Sequence, residues 1–158
     1  MKPPLLTAAA VALALLAGPA RADDKPKGDL AKLQGRWTTK AGPNRDIDVT
    51  LVVEGKAVTV KGTTPNGEDF EMKGEVVVDE TAKPHKAIDW VKFTRPDGTD
   101  APENHGIYAF EGDDTVKVCN GGPGNERPTE FKAGEGGPPQ LFIMKRETPK
   151  KGDDAKGK

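Results

Sequence analysis

The sequence predicts an all-β fold: an antiparallel barrel of seven or eight short strands with a short N-terminal helical turn. Three observations predict it. Apolar side chains alternate with polar ones over short runs, as in Ile47, Val49, Leu51 and Val53, which is the period of a strand with one buried face. The runs are separated by tight turn sequences such as Glu54-Gly55-Lys56, and short connections favour antiparallel neighbours. Cys119 is the one cysteine, so no internal disulfide can brace the domain, and a sheet that closes on itself removes its own edges. An open sandwich is the architectural rival.

The first residues read as a targeting segment rather than as part of this fold. Lys2 supplies a positive start, Leu5 to Ala17 is apolar, and Ala20-Arg21-Ala22 has the small-x-small form of a cleavage site. The apolar run is shorter than the roughly 20 residues that cross a bilayer. The expectation is a signal peptide over 1–22, cut after Ala22, and a periplasmic or extracellular protein with no membrane span. Asp23 rather than cysteine follows the site, which disfavours a lipid anchor. Residues 23–28 form a polar linker, 29–147 the barrel domain, and 148–158 a charged tail without apolar anchors, expected to be disordered.

Loss of the leader would remove Lys2 and Arg21 and no acidic residue, taking the formal net charge from −1 to −3. Nucleic-acid binding needs a basic face to displace counterions from phosphates, and no such cluster exists in the chain. That class is set aside.

In chain order, Asp29 to Leu33 reads as a helical turn, with Asp29 placed to cap free amides and Leu30 and Leu33 on one face. Gly35 ends the turn and Gly35-Arg36-Trp37 opens the first strand. A two-residue turn at Gly55-Lys56 pairs Val53 with Val58 and Leu51 with Val60, all on one face. Phe70, Met72, Val76 and Val78 share one side of a long strand in which Gly74 marks a bend or bulge. Ile88 and Trp90 point inward in the next strand, but Val91 and Phe93 break the alternation. A hairpin at Gly112-Asp113 pairs Ile107 with Val118 and Ala109 with Val116, leaving Tyr108, Phe110, Lys117 and Cys119 on the other face. The glycine- and proline-rich stretch from Asn120 to Pro139 reads as an irregular excursion with at most a short strand at Thr129 to Lys132. The final strand, Gln140 to Glu147, is apolar on both faces, which implies cover outside as well as inside.

Several blocks carry family likenesses. Leu33-Gln34-Gly35-Arg36-Trp37, Lys83 to Asp89, Gly106-Ile107-Tyr108, Arg127 to Phe131 and Met144-Lys145-Arg146 resemble, in order, the planctomycete uncharacterised domain of small exported proteins, which implies a domain type and export but no reaction. A looser likeness is to the lipocalins and other calycins, through a Gly-x-Trp after a helical turn and an Arg closing the last strand. That resemblance implies a structural plug made of Gly35, Trp37 and Arg146, with the guanidinium lying over the indole. It also implies an interior lined by the inward-facing set Leu51, Val53, Val58, Val60, Val76, Ile88, Trp90, Ile107 and Val118.

Reactive groups give no recognisable catalytic pattern. With the hairpin register above, Cys119 faces Gly106 and His105 faces Asn120, on opposite faces, so no local thiol–imidazole dyad is expected. Two histidines and one cysteine without ligand spacing do not make a zinc site. Asp46, Asp48, Glu71 and Glu75 alternate along solvent-facing positions and read as solubility charges. Gly121-Gly122-Pro123-Gly124 lacks the Lys and Ser/Thr of a phosphate loop. An Arg127–Glu130 contact, with Phe131 under the barrel rim, is the expected role of that block. The sequence therefore points to a monomeric, non-enzymatic exported module with no cofactor or metal. Its expected partner is a small apolar ligand or, alternatively, an envelope protein met through the loops at 95–104 and 120–139.

Overall fold

A computed structural model of the chain describes residues 25–148, so the expected leader and nearly all of the charged tail fall outside the described residues. One helical turn, α1 (Gly28–Leu33), precedes eight strands: β1 (Gly35–Ala41), β2 (Ile47–Glu54), β3 (Ala57–Thr63), β4 (Asp69–Asp79), β5 (Lys86–Thr94), β6 (Asn104–Phe110), β7 (Thr115–Asn120) and β8 (Gln140–Arg146). Each strand pairs antiparallel with the next, and β8 returns to β1, closing the barrel. The open sandwich is thereby excluded. Among the described residues no helix is long and apolar enough to cross a membrane.

Successive connections alternate between two ends. At one end lie α1, the Gly55-Lys56 turn, the β4–β5 loop and the β6–β7 turn. This end is sealed. Trp37 is fully buried, its Nε1–H donates to Leu33 O at 2.8 Å, and the Arg146 guanidinium stands 4.2 Å from the ring centre. Burying an indole removes roughly 200 Å² from water, on the order of 5 kcal/mol at about 25 cal/mol per Å². The cation–π contact adds about 1–2 kcal/mol, so burial dominates and the arginine locks the lid. Arg146 also donates through Nη1 to Gln34 O (2.8 Å) and Nη2 to Lys32 O (2.7 Å), satisfying carbonyls at the end of α1 that have no helical partner.

Asp29 departs from its expected capping role. The N-cap residue Lys27 makes no side-chain cap; Glu80 Oε1 instead accepts from the Asp29 N–H of the first turn at 2.8 Å, and the Asp29 carboxylate turns into the sealed end, where it accepts from Tyr108 Oη at 2.9 Å and from the Lys86 ammonium. A carboxylate on a residue only 2% exposed needs such partners, because an unpaired buried charge is costly.

The first hairpin has the expected register, Val53 with Val58 and Leu51 with Val60. The irregularity in β5 is a bulge: the β4–β5 register shifts between Lys73 and Glu75, and Lys92 takes a positive φ of 54°. The extra residue keeps Phe93 inward after Trp90, and its ring lies where a Cβ on Gly74 would be. Gly74 thus makes room for Phe93.

The second hairpin is one residue out of the expected register. Glu111 N–H bonds Thr115 O, so the loop holds three residues, and Tyr108 pairs with Val118 and Ile107 with Cys119. A one-residue slip exchanges the faces. Tyr108, Val116 and Val118 belong to the interior core, whereas Ile107 and Cys119 lie on the outside of the wall, buried all the same.

What buries them is the excursion between β7 and β8. It forms no strand at 129–132; it lies as a strap across the outside of β5, β6 and β7. Phe131 packs edge-on against His85 (4.9 Å) with Lys117 Nζ 4.7 Å over its ring, and Cys119 Sγ–H donates to Lys132 O at 3.5 Å. Arg127 does not meet Glu130 and Phe131 is not under the rim: the guanidinium reaches Asp89 instead. The expected outer cover therefore lies on β5–β7 and not on β8, where Ile143 remains 37% exposed.

Candidate functional site

The opposite end of the barrel stays open. Here the β1–β2, β3–β4, β5–β6 and β7–β8 connections surround a cavity of about 280 Å³ that runs into the upper half of the barrel. That is near the lower bound of ordinary ligand pockets, roughly 300–1,000 Å³. Its walls are apolar: Leu51 and Val60 from the first hairpin, Phe70, Met72 and Phe93 from β4 and β5, and Phe142 and Met144 from β8.

The sequence-predicted interior divides into three groups. Leu51, Val60, Trp90 and Val118 line the cavity. Val53, Val58, Val76 and Ile88 point inward but fill the sealed half, packed in the core around Trp37. Ile107 does not face the interior, for the register reason given above. Gly35, Trp37 and Arg146 come together as the plug: Trp37 pairs directly with Arg146 across the β1–β8 seam, and a Cβ on Gly35 would lie 3.5 Å from Arg146 Nη1.

The polar groups at the mouth carry the most informative chemistry, and no motif in the sequence singles them out. Asn120 is 9% exposed and lines the cavity with Asn104. Trp90 Nε1–H donates to Asn120 Oδ1 at 2.9 Å, and Gly122 N–H donates to Asn104 Oδ1 at 3.0 Å. An indole or backbone N–H can only donate, so both carboxamides are oriented with the oxygen toward the protein. Their signal in the sequence was slight: an asparagine ending an apolar alternation at Val116, Val118, Asn120.

A second cluster lies outside the barrel, under the strap. His105 Nδ1–H donates to Asp89 Oδ1 (2.9 Å), and Arg127 holds both Asp89 oxygens (2.9 and 3.1 Å) while donating to Gly106 O at 2.6 Å. Burial pushes the Asp89 carboxyl up, but Arg127 and His105 outweigh it and hold the group below its ordinary value. Contrary to the expected register, His105 and Cys119 share this outer face. They do not form a dyad. Cys119 donates to the strap, burial pushes its thiol up, and among the described residues no hydroxyl or thiol is hydrogen-bonded to His105. The cluster latches the strap. Among the described residues no group of three or more His, Cys, Asp or Glu side chains could hold a metal ion.

No family model, curated protein or solved structure matches this chain.

Proposed function

We propose that the protein is a non-enzymatic, exported binding module of the calycin type that takes a small apolar molecule into its barrel. The observation that carries this reading is the asymmetry of the interior: one half is packed solid beneath the Trp37–Arg146 plug, and the other is an apolar cavity of about 280 Å³ open at its mouth. A barrel serving only as a scaffold gains stability by filling that volume, since each unfilled methyl-sized space costs about 1 kcal/mol. Export rests on the Lys2, Leu5–Ala17 and Ala22 pattern of the leader. The strap block, Arg127 to Phe131, is spent on covering the barrel wall, which favours the carrier over an envelope-interaction module built on that loop.

The test is native mass spectrometry of the mature chain with a panel of medium-chain apolar compounds. Retention of one molecule per chain is expected. Failure to retain any apolar compound would remove the carrier reading, and capture of an envelope protein abolished by replacing loop 95–104 would favour the alternative.

A further inference from the structure

We infer that the cavity selects apolar molecules carrying a neutral hydrogen-bond acceptor, such as a ketone or ester, and that Asn120 and Asn104 recognise it. This inference rests on the carrier reading above. Both carboxamide oxygens are held by protein donors, Asn120 Oδ1 by the Trp90 indole and Asn104 Oδ1 by the Gly122 amide. Among the described residues, neither side chain's NH₂ group donates to a protein acceptor. Among the described residues no fully buried side-chain polar atom lacks a partner, so Asn120 Nδ2, on a residue more than nine-tenths buried, opens onto accessible space. Asn120 lines the cavity, and so does Asn104.

The rest of the lining narrows the class. Thr39, another polar lining residue, already donates its hydroxyl to Ile143 O at 3.0 Å. Among the described residues no Lys or Arg lines the cavity, so a carboxylate drawn inside would lack a counter-charge. No described Asp or Glu lines it either, so an ammonium, which the two amide N–H groups would repel, is worse placed still. An uncharged acceptor is the one polar end that the site satisfies without burying an unpaired charge. Its hydrogen bonds replace water that the two amides otherwise hold.

The experiment compares methyl octyl ketone, decanoate, decylammonium and decane by competition in native mass spectrometry, with the unmodified mature chain, Asn120→Asp and Asn104→Asp. Either aspartate keeps an acceptor for its protein donor while removing the outward N–H, and a thermal melt of each variant reports its folding. The ketone should bind about tenfold more tightly than decane, the ratio expected of roughly 1.4 kcal/mol from hydrogen bonding. It should lose that advantage in the variants, with decylammonium gaining. Asn104→Asp, at the half-exposed rim, keeps the test open if Asn120→Asp unfolds. Equal binding of all four compounds would overturn the head-group inference and leave the carrier reading standing. Tighter binding of decanoate would overturn the neutral class, and no binding at all would overturn both.

Discussion

Arg146 and Trp37 face each other across the seam that closes the barrel, paired in register and stacked at 4.2 Å. The seam is short: β1 and β8 share two register partners, Trp37 with Arg146 and Thr38 with Lys145, against seven between β1 and β2. Loss of the guanidinium removes the stacking and both carbonyl bonds to α1. Arg146→Ala should therefore cost about 2–4 kcal/mol, from hydrogen bonds to a charged donor and a cation–π contact. Arg146→Lys should recover less than half, because an ammonium cannot fork to two carbonyls while lying flat on the indole. Denaturant unfolding followed by tryptophan fluorescence measures both.

Alkaline stability should report on the Asp29–Tyr108 pair. Burial, and then the hydrogen bond to Asp29, push the Tyr108 hydroxyl far above its ordinary value of 10.0. A raised value in the folded state means that its contribution is full below about pH 10 and is lost as pH rises beyond it. Lys86, held protonated chiefly by its bond to Asp29, adds to the same slope. Tyr108 is the chain's one tyrosine, so its near-ultraviolet ionisation step should coincide with unfolding. A tyrosinate signal from protein that remains folded would refute the assignment, and Tyr108→Phe should flatten the slope.

The strap gives a chemical readout through Cys119, the one thiol in the chain and buried beneath it. Arg127→Ala removes the link between the strap and Asp89. With both partners roughly a quarter to a third exposed, we expect about 1–2 kcal/mol of local destabilisation, hence roughly 5- to 30-fold faster thiol labelling. The barrel's melting midpoint should move little. Unchanged labelling would mean that Phe131 and the backbone hold the strap without Arg127.

Gly74→Ala tests the packing at the bulge. Its Cβ would overlap the Phe93 ring, and overpacking of this kind costs about 1–3 kcal/mol. The double variant Gly74→Ala with Phe93→Leu should be less destabilised than the two single effects combined, since the smaller side chain vacates the site. Strict additivity in urea unfolding would show that the two residues do not share that space.

Much of this architecture was legible because each element repeated one signal. In the first hairpin the turn and the alternation agree, and the face opposite Leu51, Val53, Val58 and Val60 is mostly polar, with Asp48, Thr50, Thr59 and Lys61, so the Val53–Val58 register is well specified. The second hairpin is apolar on both faces, since Ile107 and Cys119 are covered by the strap and Tyr108 and Val118 by the core. Alternation there is degenerate, and the turn length alone decides the register; three loop residues in place of two reversed it. The strap's position depends in part on contacts more than thirty residues apart, such as Arg127 with Asp89, and no local pattern announces those. The two asparagines at the mouth carry no distinctive sequence signal for a related reason. An asparagine at a strand end reads as turn chemistry until the indole and amide that fix it are seen.

The alternation of connections between the two ends has one further consequence, for how the molecule can be attached to anything else. The chain enters the barrel through α1 at the sealed end, and β8 finishes at Arg146 beside it. A fusion partner, bead or surface joined before Gly28 or after Arg146 is thus borne on the plugged pole. The mouth then faces outward, open to solution.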